Sequence, residues 1–277
     1  MTILRKGEEM ANSENIFKVA KKVEENLKNL YGGLFEDSSE FKINVNKKSG
    51  DLNKYPSFKF ETYPYVGKNY GRKKKILFIG QEVGKVDKEG QYQTFRERRN
   101  AVWRRKSHKN KDLNPEYNPH IAGTYLLSLF FLKENMYYNK LWNKIKDRKR
   151  SFINIMKNKE IPKKNNKDPL TYIALTNIRK FVNKKKEKRS GKIKYPEGSD
   201  TKQIERKFLK KEVDLFRPKI IVFQGKSFVK KFDLIQSISK KEREIYVGHH
   251  PADRRISSPK EFIEKKSILC RGTNIPK

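Results

Sequence analysis

An α/β fold, built on a parallel sheet with helices over both faces, is the architecture that this 277-residue sequence predicts. Two observations predict it. Four short runs, Lys75-Ile-Leu-Phe-Ile79, Tyr172-Ile-Ala-Leu175, Lys219-Ile-Ile-Val-Phe223 and Glu244-Ile-Tyr-Val247, are apolar with little polar alternation, as strands buried on both faces are. Helical patterns lie between them, and strand, helix and strand in alternation mark a parallel sheet. A third observation bears on function: 67 Lys and Arg against 32 Asp and Glu give a formal net charge of +35.

The elements follow in chain order. A first helix, capped by Asn12 or Ser13, carries Ile16, Val19, Ala20, Val23, Leu27 and Leu30 at helical spacing before Gly32-Gly33 stop it. Residues 34–70 read as irregular, except that Phe58-Lys-Phe-Glu-Thr-Tyr63 alternates as an edge strand does. Residues 1–70 are therefore expected to form a helical and irregular appendage, with residues 71–277 as the main domain. In that domain His120 to Tyr138 reads as one apolar helix. Thr201 to Phe216 places Ile204, Phe208, Leu209 and Val213 on one face, and Lys226 to Ile238 follows the third strand as a helix. The lysine-rich stretches 143–168 and 183–198 show little periodicity and read as surface loops or frayed helix ends.

The charge points to a polyanionic partner, nucleic acid first and an acidic membrane second. An AT-rich coding bias raises Lys, Asn and Ile without functional demand, but it does not by itself leave acidic residues so few. A content of 36% charged and 35% hydrophobic residues approaches that of disordered chains, yet 17 Phe, 13 Tyr and 2 Trp supply a core. No run reaches the roughly 18–20 apolar residues of a membrane span. The first residues lack the apolar stretch of a secretory signal, so the chain is expected in the cytoplasm, associated with the nucleoid, and monomeric. Cys270 is the one cysteine, which excludes a disulfide framework, a four-cysteine zinc site and a thiolate-held iron–sulfur cluster. It reads as a small buried hydrophobe. The histidines are His108, His120, His249 and His250, and adjacent residues on a strand face opposite ways, so no metal site is expected. Trp103 and Trp142 sit in basic helical surroundings and read as amphipathic packing.

In open parallel sheets ligands bind at the carboxyl ends of strands. Those ends here carry Gly80-Gln81-Glu82, Thr176-Asn177, Gln224-Gly225 and Gly248-His249-His250. A carboxylate, an amide and an imidazole thus fall where the topology gathers them. Taken singly, each also has a plain reading as a helix-end charge, a turn former or a backbone-bonded histidine.

Taken together, Gly80-Gln-Glu-Val-Gly84, Leu175-Thr-Asn-Ile-Arg-Lys180, Arg217-Pro-Lys-Ile-Ile-Val-Phe-Gln-Gly225 and His250-Pro-Ala-Asp-Arg254 resemble the uracil-DNA glycosylase superfamily in order and spacing, over roughly residues 72–256. The resemblance implies a three-layer α/β/α sandwich with a central, mostly parallel four-stranded sheet. It implies cofactor-free hydrolysis of the N-glycosidic bond of a flipped base in duplex or single-stranded DNA. By position, Glu82 orients the attacking water and His250 stabilises negative charge on the departing base. Gln81 and Gly80 offer backbone contacts to the base, Gly84 permits close approach of the nucleotide, and Asn177 reads the base edge. Tyr92 and Phe95 are the candidate stacking aromatics, with Tyr117 behind them. Arg254, Arg255, Lys180 and Lys226 are expected to hold phosphates beside the site.

Two departures stand out. Val83 replaces a proline, and Ala252-Asp253-Arg254-Arg255 replaces the segment that carries an apolar wedge. An Arg fills the hole of a flipped base less well than Leu. These departures leave open a modified pyrimidine, such as one in phage DNA attacked in host defence, as substrate. A catalytically silent nucleic-acid-binding module, which needs the basic surface but not Glu82 or His250, is the rival reading, and an RNA-binding factor is a third.

Overall fold

The computed structural model describes residues 18–35, 45–46, 52, 58–60, 63–80, 95, 115–157, 161–162, 167–183, 201–225, 232–248, 258–264 and 267–271. Its main sheet has six strands. Four are the apolar runs of the sequence: β3 (Ile76–Gly80), β4 (Ile173–Asn177), β6 (Ile220–Gln224) and β7 (Glu244–Gly248). They are mutually parallel in the order β4-β3-β6-β7, with Gly80 opposite Asn177 and Gln224 opposite Gly248. Two antiparallel strands that the sequence reading did not include close the edges. These are β2 (Tyr65–Val66), beside β4, and β8 (Ser267–Arg271), beside β7. Within β8, Cys270 stands opposite Ile245. The edge strand foreseen near Phe58 is β1 (Phe58–Phe60), which pairs with β5 (Phe181–Asn183) in a separate two-stranded sheet.

Strand alternation sends successive side chains into two cores. Ile76, Phe78, Ile173, Leu175, Ile220 and Val222 meet helices α2 (Pro119–Phe131), α3 (Met136–Ile145), α4 (Phe152–Met156) and α7 (Pro259–Glu264). Leu77, Ile79, Ala174, Ile221, Phe223, Ile245 and Val247 meet α1 (residues 18–32), α5 (Thr201–Phe216) and α6 (Phe232–Ile238). Helices therefore cover both faces, as a parallel sheet requires. The connection from β3 to β4 uses the first face and moves one way, while those from β4 to β6 and β6 to β7 use the second and move the other way. Opposite faces for opposite directions keep the crossovers of one hand.

Three expectations need correction. The apolar stretch from His120 to Tyr138 is two helices, because Leu132–Asn135 turns the chain and the Asn135 side chain caps α3 by accepting from the Tyr137 N–H at 3.0 Å. Part of the lysine-rich stretch 143–168 is core: Ser151 caps α4, whose Phe152, Ile155 and Met156 are buried. Nor are the described residues before 71 an appendage. Ala20, Val23, Leu27, Tyr31, Phe60, Val66 and Tyr70 share one core with the sheet and α5, and the Tyr70 hydroxyl donates to the Phe216 carbonyl at 3.0 Å. Residues 184–200, which hold most of the second lysine-rich stretch, lie outside the described residues.

Candidate functional site

The topology makes a switch point between β3 and β6, since the chain leaves them toward opposite sides of the sheet. Crevices at the carboxyl ends of strands form at such points. Three side-chain positions face α2 there: Asn177 on β4, Gly80 on β3 and Gln224 on β6. Gly80 leaves room for the Asn177 side chain that leans across it, since a Cβ there would force the Asn177 Oδ1 to shift. The Ile178 N–H donates to the Gly80 carbonyl at 2.9 Å, so the two tips are tied just past the ends of their strands. Asn177 is half-buried, and no described residue hydrogen-bonds its side-chain amide. A carboxamide so placed can donate and accept at once, as the edge of a nucleobase requires.

Gln224 is differently employed. It is buried, and its Nε2 donates to Thr124 Oγ1 of α2 at 2.7 Å, fixing that helix over the strand ends. Asn118 caps α2 by accepting from the His120 and Ile121 N–H groups at 2.8 and 3.2 Å. Gly225, at a φ of 149° that glycine tolerates, donates its N–H to the Gly248 carbonyl at 3.0 Å and joins the tips of β6 and β7. An apolar cavity of about 170 Å³ lies between α2, α7 and these two strands, lined by Leu127, Phe131, Val222, Tyr246 and Phe262 among others. Gly80 and Asn177 do not line it.

On the opposite face, under the tip of β4, lies a buried charged network. Lys180 Nζ donates to Glu212 Oε2 at 2.6 Å and to Thr176 Oγ1 at 2.7 Å, and the Tyr31 hydroxyl donates to Glu212 Oε1 at 2.5 Å. Thr176 Oγ1 lies 3.1–3.2 Å from both Glu212 oxygens. Glu205, one turn pair earlier on α5, accepts from the backbone N–H groups of Lys180 and Phe181 at 2.7 and 3.3 Å. Burial pushes the Lys180 ammonium below its ordinary value, against the pull of Glu212, and burial with Glu212 beside it pushes the Tyr31 phenol up. The segment carrying Asn177 is thus clamped to α5 by two carboxylates.

This corrects the role given to Lys180. It is 3% exposed and bonded inward, so it cannot hold a phosphate at the surface. A buried carboxylate demands a counter-charge, and Glu212 takes this one. Phe95 is also committed to packing rather than presenting a free face. Its ring is buried, edge-on to Tyr31 at 5.7 Å and tilted against Tyr63 at 4.6 Å. Tyr117 is 43% exposed, and Trp142 is buried as amphipathic packing foresees. Gln81, Glu82, Gly84, Tyr92, Lys226, His249, His250, Arg254 and Arg255 lie outside the described residues, as do Trp103 and His108.

Sequence reading missed Glu205, Glu212 and Tyr31, and placed Thr176 at a strand tip without its bonds to Lys180 and Glu212. A signal was present for the two carboxylates. Ile204, Phe208, Leu209, Val213 and Phe216 trace the apolar face of α5, and Glu205 and Glu212 fall on that face. Among the described residues no group of three or more His, Cys, Asp or Glu side chains is gathered as a metal ion needs, and no helix is long and apolar enough to cross a membrane. Comparison with known proteins found no matching family model, no matching curated protein and no matching solved structure.

Proposed function

We propose that this chain is a DNA glycosylase of the uracil-DNA glycosylase type, hydrolysing the N-glycosidic bond of a flipped uracil or other modified base. The observation that carries the reading is the half-buried Asn177 amide lying across Gly80 at the switch point of a parallel sheet. The site is one where the backbone of Gly80 and the amide of Asn177 can meet a planar polar edge together. The resemblance adds the reactive groups. Glu82, two residues beyond Gly80, orients water toward C1′ and takes its proton as the C1′–N bond breaks. His250, two residues beyond Gly248, donates to the oxygen of the departing base, which leaves as an anion. The charge of +35 supplies the grip on phosphates that base flipping needs.

A second reading, a silent nucleic-acid-binding module on the same fold, gains from one finding. Phe95, expected to stack on the flipped base, is spent on internal packing. One experiment separates the two. Single- and double-stranded oligonucleotides carrying uracil and a panel of modified bases are incubated with the protein, and abasic sites are then cleaved with alkali. Cleavage is expected with at least one base, with Glu82→Gln slowing single-turnover excision by about 10²–10⁴-fold while binding persists. Intact binding without product from any base overturns the glycosylase reading.

A further inference from the structure

We propose that a groove on the outer surface of the α2/α3/α7 layer is a second polyanion site, shaped for the phosphodiester backbone of a nucleic acid. It stands whether or not the strand tips cleave a glycosidic bond. The groove has a volume of about 480 Å³ and is rimmed by Lys133, Lys146 and Lys260, with the carboxamides of Asn139 and Asn143 between them. Trp142 and Phe130 form its hydrocarbon wall.

Three features suit it to a polyanion. First, the lysines carry no ion pair. Lys28, Lys74, Lys180 and Lys240 are each ion-paired with a carboxylate, whereas among the described residues none of Lys133, Lys146 and Lys260 has such a partner. The one carboxylate lining the groove, Glu134, is paired with Lys74. Second, the walls are held in place before any ligand arrives. The Lys260 N–H donates to the Lys146 carbonyl at 2.9 Å, joining α7 to the end of α3, and Phe262 packs edge-on against Phe152 of α4 at 5.2 Å. Lys133 Nζ lies 4.1 Å from the centre of the Phe130 ring, which fixes its height on the rim. Third, the segment leading out of the groove, Lys146-Asp-Arg-Lys-Arg150, continues the positive strip.

A hollow rimmed by ammonium groups without carboxylate partners suits a chain of phosphates. The carboxamides add donors for phosphate or sugar oxygens, and the aromatic wall suits the edges of sugars and bases. A membrane surface is flat and favours a convex amphipathic face. Met136 and Tyr137 are exposed at the start of α3, but the lysines sit in a hollow rather than around an apolar ridge.

The test measures binding of random-sequence single- and double-stranded 30-mers by fluorescence anisotropy over a range of salt. Three proteins are compared: wild type, the groove variant Lys133→Gln/Lys146→Gln/Lys260→Gln, and a control that removes the same charge from the exposed face of α5, Lys202→Gln/Lys207→Gln/Lys210→Gln. The slope of log affinity against log salt is expected to fall by about 2 to 3 in the groove variant and by less than about 1 in the control. A second readout leaves the groove intact. In Trp103→Phe protein the remaining tryptophan, Trp142, is expected to change its emission when DNA is added. Equal losses of slope in both triple variants overturn the proposal, as does Trp142 emission that shifts with phosphatidylserine vesicles but not with DNA. Failure of every base to yield an abasic product would remove the glycosylase reading and leave these results untouched.

Discussion

Under α2, the sheet face made by Ile76, Phe78, Ile173, Leu175, Ile220 and Val222 meets an apolar layer in which Thr124, Ser128 and Gln224 are neutral and hydrogen-bonded, with the Asp168 carboxylate at its margin accepting from the Leu170 N–H. Under α5, the opposite face encloses Lys180, Glu212, Tyr31 and Thr176 in one charged network. Both faces bury large side chains, so the fold did not need ions to fill the second. Buried ion pairs cost desolvation that apolar packing avoids. Their position is what sets them apart, because they anchor the segment Ile178–Lys180 that follows Asn177. The comparison teaches that one side of the sheet supplies stability, while the other holds a strand tip in a fixed place.

The strongest test breaks the network on one side only. Glu212→Ala leaves the buried Lys180 ammonium without its partner and is expected to lower stability by about 3–5 kcal/mol in denaturant unfolding. The double variant Lys180→Met/Glu212→Leu should recover most of that loss, since neither charge remains. If the double variant is as unstable as the single, an unpaired Lys180 charge is not what destabilises Glu212→Ala.

A smaller effect concerns the amide that the network supports. On the proposed glycosylase reading, Asn177→Ala should cost about 1–3 kcal/mol in transition-state discrimination between bases, measured as the ratio of single-turnover rates. Asn177→Asp should shift preference toward a cytosine-like edge, because a carboxylate only accepts. The same preference in wild type and both variants would detach Asn177 from base reading.

Alkaline titration compares the faces again. Burial raises the phenols of Tyr31 and Tyr70 on the charged side and of Tyr138 on the apolar side. A raised folded value means that the unfolded chain loses its phenolic proton first. This stabilisation is therefore complete below the unfolded value near 10 and is lost as the pH climbs toward the folded values, at up to about 1.4 kcal/mol per pH unit for each phenol. Lys180 acts in the opposite sense. Its folded value is depressed, so between that value and the unfolded one stability rises with pH. Melts followed between pH 8 and 11 should show Tyr138→Phe flattening the alkaline fall, and Lys180→Met removing the opposing rise.

The smallest effect belongs to the apolar side alone. Asn135→Ala removes the cap that separates α3 from α2 and should cost about 1 kcal/mol, read from thermal unfolding. No loss would mean that the turn at Leu132–Asn135 is set by packing instead.

How far the sequence disclosed all this depends on the range of the interaction. The four parallel strands were legible because each is an unbroken apolar run, and their order brought Gly80, Asn177 and Gln224 to one end. Strand β2 escaped notice because Tyr65–Val66 is two residues long and owes its existence to β4, more than a hundred positions away. The break in the apolar stretch from His120 to Tyr138 was hidden because hydrophobicity continues through it, while the cap acts through one oxygen of Asn135. Lys180 looked like a surface cation because its partner, Glu212, is 32 positions distant and only the tertiary fold joins them. Glu205 and Glu212 were the readable half of that pair, lying on an otherwise apolar helix face.

The antiparallel strand β8 carries a consequence for the order of synthesis. Ser267–Arg271 is made after all four parallel strands, and it is what covers the outer edge of β7. Until it emerges from the ribosome, β7 offers a row of unpaired N–H and C=O groups to any neighbouring chain. A growing polypeptide can therefore complete most of its interior and still be open to misassembly with its neighbours. Deleting Ser267–Arg271 would make that passing vulnerability permanent.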